Sequence, residues 1–324
     1  MNIARALRGA AAGLLAGLSA LALPVRAEYP DKPIRMVIPF AAGGATDQMA
    51  RIIGKHLTEA WGQPVVSDNR AGANGVIGTD IVAKSPGDGY TLELVAMGHA
   101  VNPLLYRKLP YDTDHDFTPI SLIATYPQAV LVPPNSPSKD LQALLERARA
   151  NPDKPLNFAS GGAGSSQHLA AALFASMAGI QLTHIPYKGG APALMDVAAG
   201  TVDLMISSPP LPYLQSGRMR ALAITSHQRV AWLPDLPTVE EVGVPGYQSL
   251  AWYGLIAPKG LPPAVMKKLA TEVAKALKSK ELRDAAAVQG GEPAVSSPES
   301  FAAFIQAERK RYAPIVREAH ISLD

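Results

Sequence analysis

Between residues 34 and 40 the chain reads IRMVIPF, a mostly apolar run of strand length, and a glycine pair follows at once. Beyond it Met49, Ile52, Ile53 and Leu57 recur at helical spacing, which predicts a helix with one apolar face from Thr46 to about Trp61. The same rhythm continues. PVVSD reads as a strand, GVIGTDIVAKS as a short helix and YTLELVA as another strand. Further on, LQALLERARAN predicts a helix ending at Asn151-Pro152, LNFAS a strand, and SSQHLAAALFASMAG a helix closed by Gly179. LTHIPY, VDLMISS and RALAITS predict strands, with a helix over APALMDVAAG. Strands separated by crossover helices predict an α/β fold with mostly parallel sheets.

Two stretches break this alternation. FTPISLIATYPQAVLVPPNSP is a long extended run carrying Pro127, Pro133 and Pro134, and YQSLAWYGLIAPKGLPP is its later counterpart. After them, AVMKKLATEVAKALKSKELRDAAAVQ and PESFAAFIQAERKRYAPIVREA read as helices. Two crossings between domains place residues 28–125 and 251–324 in one lobe and residues 126–250 in a second. A head-to-tail pair of domains is the competing arrangement.

Residues 1–27 carry Arg5 and Arg8 ahead of an apolar stretch, then small residues at Val25 and Ala27. This predicts a cleaved signal peptide, export to the periplasm and a soluble chain beginning at Glu28. No cysteine follows, so no lipid anchor is expected. Export changes the charge balance. The segment holds Arg5, Arg8 and Arg26 and no acid, and its removal brings 30 basic residues down to parity with 27 acidic ones. A nucleic-acid partner thereby loses its electrostatic support. The absence of cysteine excludes disulfides, thiolate metal sites and cysteine nucleophiles.

The glycine pair after the first strand has a counterpart. IPFAAGGATDQMAR, residues 38–51, and NFASGGAGSSQHLA, residues 157–170, both set a glycine-rich turn between a strand and a helix. Glycine lets backbone approach a ligand closely. A helix N-terminus then offers unpaired N–H groups and partial positive charge, so each turn is a candidate anion site. A parallel α/β chain also needs such turns for connection alone. Phosphate and nucleotide fit poorly: the Walker pattern is absent, no lysine stands at either helix start, and G-x-G-x-x-G fails at Gln167. The candidate contacts are Phe40, Ala41, Gly43, Gly44, Thr46 and Asp47 on the first turn and Ser160, Gly161, Gly164, Ser165 and Ser166 on the second. Thr46 reads either as an N-cap or as a ligand hydrogen bond. Asp47 is either a first-turn carboxylate stabilising the helix or a partner for a ligand amine or hydroxyl. His99, at a strand end, is a cleft candidate or a structural histidine, and Lys188 in PYKGGAP is a solvent-facing lysine or a cleft residue.

Catalysis and cofactors find little support. The seven histidines show no zinc spacing, so no metal and no cofactor are expected. GAGSS is not the nucleophile elbow of hydrolases. Ser165 and His168 share a helix face, which leaves an exported serine hydrolase as a remote alternative.

MVIPFAAGGATDQMAR, GQPVVSDNRAGANGVIGTDIVAKSPGDGYTL, HAVNPLLY, NFASGGAGSSQHLA, HIPYKGGAPALMDVAAGTVDLM, LPDLPTVEEVGVPGY and WYGLIAPKGLP run in order through almost the whole chain after residue 27. In these stretches the sequence resembles the Bug-type (TctC-like) solute-binding proteins of tripartite tricarboxylate transporters. The resemblance implies a periplasmic-binding-protein-like fold, two α/β lobes joined by crossing strands and closing on a small organic carboxylate. It implies that the loops Phe40–Asp47 and Ser160–Ser166 hold that carboxylate, largely through main chain and water. A membrane permease is the implied partner, for a receptor expected to be a monomer; a sensor signalling to a membrane kinase is the alternative role. The chain departs from the family at Ala71 and Val76, and at Ser207 and Ser208, where many members carry an aspartate. If Ser207 touches the distal end of the ligand, an amine-bearing ligand is less favoured.

Overall fold

The computed structural model describes residues 28–324 apart from Pro210; the signal-peptide assignment to residues 1–27 lies outside them. Two sheets form the frame. The first has the order β11-β4-β10-β3-β1-β2 and the second β7-β6-β8-β5-β9. In the first, β1 (Ile34–Ile38) runs parallel to β2 (Val65–Asn69) on one side and to β3 (Thr91–Ala96) on the other. In the second, β6 (Leu156–Ser160) runs parallel to β7 (Leu182–Pro186) and to β8 (Leu204–Ser207). The strands that carry the chain across are β4 (Phe117–Pro127) and β5 (Ala129–Val132) on the way out, and β9 (Arg220–Ile224) and β10 (Leu250–Pro258) on the way back; β5 and β10 run antiparallel to these centres, so the sheets are mixed rather than mostly parallel. β10 pairs antiparallel with β3 and β4, and β5 with β8 and β9.

The helices follow the apolar periodicities. α1 (Ala45–Trp61) buries Met49, Ile53 and Leu57 against the first sheet and ends at Gly62 in the left-handed conformation. α2 (Val76–Ala83), α4 (Leu141–Ala150), α5 (Ser166–Ala178) and α6 (Gly190–Ala198) fall where the periodicity predicts them. α3 (Gly98–Leu105) was not among the expected helices, and Pro103 within it locally disfavours one. Burial of His99, Ala100, Val101, Asn102 and Leu105 overrides that local signal. After the short α7 (Leu211–Gln215), the expected long helix past β10 is two: α8 (Pro263–Ala276) and α9 (Lys280–Ala287). Ser279 divides them, its side chain accepting from Leu282 N–H as an N-cap at 3.3 Å. A two-residue strand, β11 (Glu292–Pro293), leads into α10 (Pro298–Glu318).

Where the chain crosses between the sheets, a buried polar knot ties the two passages together. Gln128 N–H donates to Thr225 Oγ1 at 2.7 Å, and Thr225 N–H donates to Gln128 carbonyl at 2.7 Å. The Thr225 hydroxyl donates to Ser249 carbonyl at 2.6 Å, and Ser249 N–H donates back to Thr225 carbonyl. Ser249 Oγ then reaches Gln128 Oε1 and the Tyr312 hydroxyl of α10. Each side chain of the knot is at most 1 % exposed, so each unmade bond here would leave a buried polar group unsatisfied. One hydrophobic cluster runs on either side of it, joining Trp252, Phe301 and Tyr312 to Phe174 and Tyr247.

Candidate functional site

β1 lies between β3 and β2, with its neighbours wound in opposite directions, and β6 lies likewise between β8 and β7. Ligands of open α/β sheets bind outside the carboxyl ends of strands at such switch points. The segments leaving those two strand ends are the two glycine turns.

At the first turn, Ala41, Ala42, Gly43 and Gly44 are exposed and Phe40 is half-buried. Gly43 adopts φ +83°, a conformation that favours glycine. Gly44, not Thr46, is the N-cap of α1, and it offers no side-chain cap. Thr46 is the second helical residue and is buried. Among the described residues, the N–H groups of Ala41, Ala42, Gly44, Thr46 and Asp47 find no hydrogen-bond acceptor. That leaves a dipole end with unpaired donors, which is the physical requirement for holding an anion.

Asp47 turns inward rather than outward. It is 3 % exposed, and its Oδ2 accepts from Gly43 N–H and from Arg51 Nε, both at 2.9 Å. Its Oδ1 accepts from Asn69 Nδ2 at 3.0 Å. Asn69 Nδ2 also reaches the Phe40 carbonyl at 3.1 Å. Burial alone would raise the Asp47 carboxyl, but the bonds from Arg51, Gly43 and Asn69 outweigh it and hold the group below its ordinary value. Asp47 is therefore the ionised keystone of the turn.

A third segment abuts this turn and was not recognised in the sequence. Residues 70–75 link β2 to α2, with Arg70 N–H donating to Ile38 carbonyl at 2.8 Å. Gly75 and Gly78 lie against Pro39, where a Cβ at Gly78 would come within 2.9 Å of the proline ring. Ala73 and Asn74 both take positive φ, +47° and +51°, which is unfavourable for Ala73 and tolerated by Asn74. A reciprocal amide pair holds them: Asn74 Nδ2 donates to Asn102 Oδ1 at 2.8 Å, and Asn102 Nδ2 donates to Asn74 carbonyl at 3.1 Å. Such strain is characteristic of binding segments. The run Ala71-Gly72-Ala73-Asn74-Gly75 held the one available signal, its turn-forming residues.

At the second turn Ser165 is the N-cap of α5, accepting from His168 N–H at 3.3 Å. The imidazole of His168 bonds elsewhere: its Nδ1 accepts from Gly164 N–H at 3.1 Å. Ser165 and His168 thus form no nucleophile–base pair. Burial, with His184 beside it, pushes the His168 imidazole down to about 4. A Ser–His contact does exist, between Ser160 Oγ and His184 Nε2 at 2.6 Å, and Ser160 is fully buried. Gly164 is buried too, its backbone packed so closely that a Cβ would meet Leu105 at 2.9 Å and Leu323 at 3.0 Å. Gly161, Ser165 and Ser166 are half-buried.

Of the other candidates, Ser207 ends β8 beside the second turn and is 9 % exposed. His99 lies in the interior, edge-on to Phe117 with ring centroids 5.1 Å apart. Burial, aided by the Arg309 charge, pushes it down to about 3, so it stays neutral. It packs as a core residue rather than on either turn. Lys188 is exposed, in the segment that packs against Gly161 and Gly162.

Residues 49–321 match the family model described as the tripartite tricarboxylate transporter family receptor. The chain belongs to this family. Protein BugT of Bordetella pertussis is 39 % identical, with all of both chains covered. Among solved structures, R. palustris Rpa4515 with adipate shows 38 % identity and a TM-score of 0.80, covering 91 % of this chain and 99 % of that one. MatC (Rpa3494) from Rhodopseudomonas palustris with bound malate shows 33 % identity and a TM-score of 0.76, covering 89 % of this chain and all of that one. These solved receptors share the two-sheet α/β fold described above.

Proposed function

We propose that this receptor captures a small organic carboxylate outside the cytoplasm and delivers it to the permease subunits of a tripartite transporter. The observation that carries the reading is the pairing of two glycine turns with unpaired N–H donors, one at the switch point of each sheet. Residues 28–125 with 251–324 form one lobe and residues 126–250 the other, and the carboxylate lies between them. Relatives bound to adipate and malate support a linear or hydroxylated dicarboxylate as ligand class. Residues 1–27 direct export, no helix among the described residues is long and apolar enough to cross a membrane, and the receptor works as a monomer without chemistry on its ligand.

The contacts must supply more than helix dipoles. A helix end contributes roughly 0.3–1 kcal/mol to an anion, and up to about 2 kcal/mol when partly buried. Micromolar affinity needs about 8 kcal/mol. Four or so hydrogen bonds to charged oxygens, at about 1.5–3 kcal/mol each, close the difference. The turn amides, the Ser166 hydroxyl and bridging water are the donors proposed for this. Because contacts to both turns form only when the lobes meet, ligand biases the receptor toward closure.

The test is a melting-temperature screen against di- and tricarboxylates, aromatic carboxylates and amino acids, followed by calorimetry and small-angle scattering. A carboxylate-dependent rise in Tm with a smaller radius of gyration is expected. No shift with any carboxylate, and none co-purifying by mass spectrometry, would overturn the reading.

A further inference from the structure

Beneath the second glycine turn lie two imidazoles that the carboxylate reading does not use. His168 on α5 and His184 on β7 stack with ring centroids 3.8 Å apart and planes 13° from parallel. Phe158 on β6 extends the stack, 4.8 Å from His184. Each imidazole holds the turn by one bond. His168 Nδ1 accepts from Gly164 N–H, and His184 Nε2 meets Ser160 Oγ, which in turn accepts from Gly162 N–H at 3.1 Å. With Ser165 N–H donating to Gly162 carbonyl, the amides of Gly162, Gly164 and Ser165 all have internal partners. Those of Gly161, Ala163, Ser166 and Gln167 have none among the described residues.

Building on the carboxylate reading, we infer that His168 and His184 are positioning residues. As a neutral stacked pair they select which amides of the turn are bonded inward and which stay available to the ligand. The bonding pattern requires neutrality at His168: an Nδ1 that accepts cannot carry a proton, so its proton is on Nε2. A second proton on His168 would turn an Nδ1–H against Gly164 N–H, and protonation of both rings would set like charges face to face.

The surroundings offer no counter-charge to offset this. α5 carries no charged side chain and β6 none. On β7 the titratable group is His184 itself. Of the elements packed alongside, α6 carries Asp196, bonded to the Tyr187 hydroxyl, and Lys188 on the connecting segment is exposed. Glu318 of α10 bonds Ser176, and Asp324 at the chain end bonds Arg107. His168 is lowered by burial first and by His184 second, with no carboxylate among the causes.

The test uses the full receptor with adipate and malate as probes. In His168→Asn the side-chain oxygen replaces Nδ1 as acceptor for Gly164 N–H, whereas His168→Leu keeps the bulk and removes the acceptor. We expect His168→Asn to bind within about threefold of the parent and His168→Leu to bind about tenfold or more weakly, the fold-change of one charged-group hydrogen bond. His184→Gln and His184→Leu should divide in the same way. In ligand-free parent protein, imidazole nitrogen NMR at pH 7 should show His168 unprotonated at Nδ1. Equal affinities for the Asn and Leu variants, or an Nδ1-protonated His168, would overturn the inference. Failure of the parent to bind any carboxylate would instead overturn the receptor reading, and the NMR signature would still decide the state of the pair.

Discussion

Glu93→Gln should stabilise the receptor at neutral pH and should remove part of its pH dependence. Glu93 sits mid-strand in β3, opposite Val37 of β1 and Ile256 of β10, and is fully buried. Burial pushes its carboxyl up to about 8 from an ordinary 4.5. The hydrogen bonds give an independent reason to regard it as protonated. Thr79 Oγ1 lies 3.0 Å from the Gly75 carbonyl and 2.7 Å from Glu93 Oε1. One hydroxyl proton cannot serve both acceptors. A protonated Glu93 donating to Thr79, with Thr79 donating to Gly75, satisfies the chain and anchors the strained segment beside the first glycine turn.

For an acid with a raised folded-state pKa, the protonated form's contribution is fully present below pH 4.5 and is lost as pH rises through about 8. At about 1.4 kcal/mol per pH unit, the accumulated cost is on the order of 3 kcal/mol at pH 7 and levels off near 5 kcal/mol above pH 8. Glutamine has nearly the same shape, can donate to Thr79 through its amide and does not titrate. Urea unfolding of parent and Glu93→Gln at pH 5, 7 and 8.5 should therefore give a stability gap that starts near zero and widens with pH. Parallel pH profiles for the two proteins would show Glu93 ionised in the folded state and refute the proton chain.

Asp47→Ala should weaken carboxylate binding about tenfold or more, because Gly43 N–H, Arg51 and Asn69 all lose their shared acceptor; calorimetry across plain and amine-bearing carboxylates checks it, and a loss confined to amine-bearing ligands would mean that Asp47 faces the ligand. Thr225→Val keeps the side-chain shape but leaves Gln128 N–H and Ser249 carbonyl without their partner in the crossing knot. It should cost about 2–5 kcal/mol in denaturant unfolding, and a change below 1 kcal/mol would show the knot to be dispensable. His168, whose folded pKa is depressed to about 4, should contribute stability that is present above pH 6.5 and lost as pH falls toward 4. His168→Asn should flatten that part of the acid limb.

Both glycine turns were legible because the signal is local: a strand, a flexible pair and an apolar helical face follow one another within fourteen residues. What those turns do with their own side chains was not legible, for a physical reason. Asp47 could be read from sequence either as a first-turn carboxylate or as a ligand contact, since both roles place an acid near a helix start. The choice is made by Asn69, twenty-two positions away on β2, and by Arg51 one helical turn on, which together turn the carboxylate inward. His184 meets Ser160 across twenty-four positions in the same way. Asn102 fixes Asn74 in its left-handed conformation from twenty-eight positions away, and α3 persists through Pro103 because its burial outweighs the missing bond. Periodicity reports the face an element buries, whereas which N–H groups remain free for a ligand depends on partners supplied by other strands. In both glycine turns the pattern of free donors is set by what lies behind them: an ionised aspartate that takes up Gly43 N–H at the first, and an imidazole nitrogen that takes up Gly164 N–H at the second.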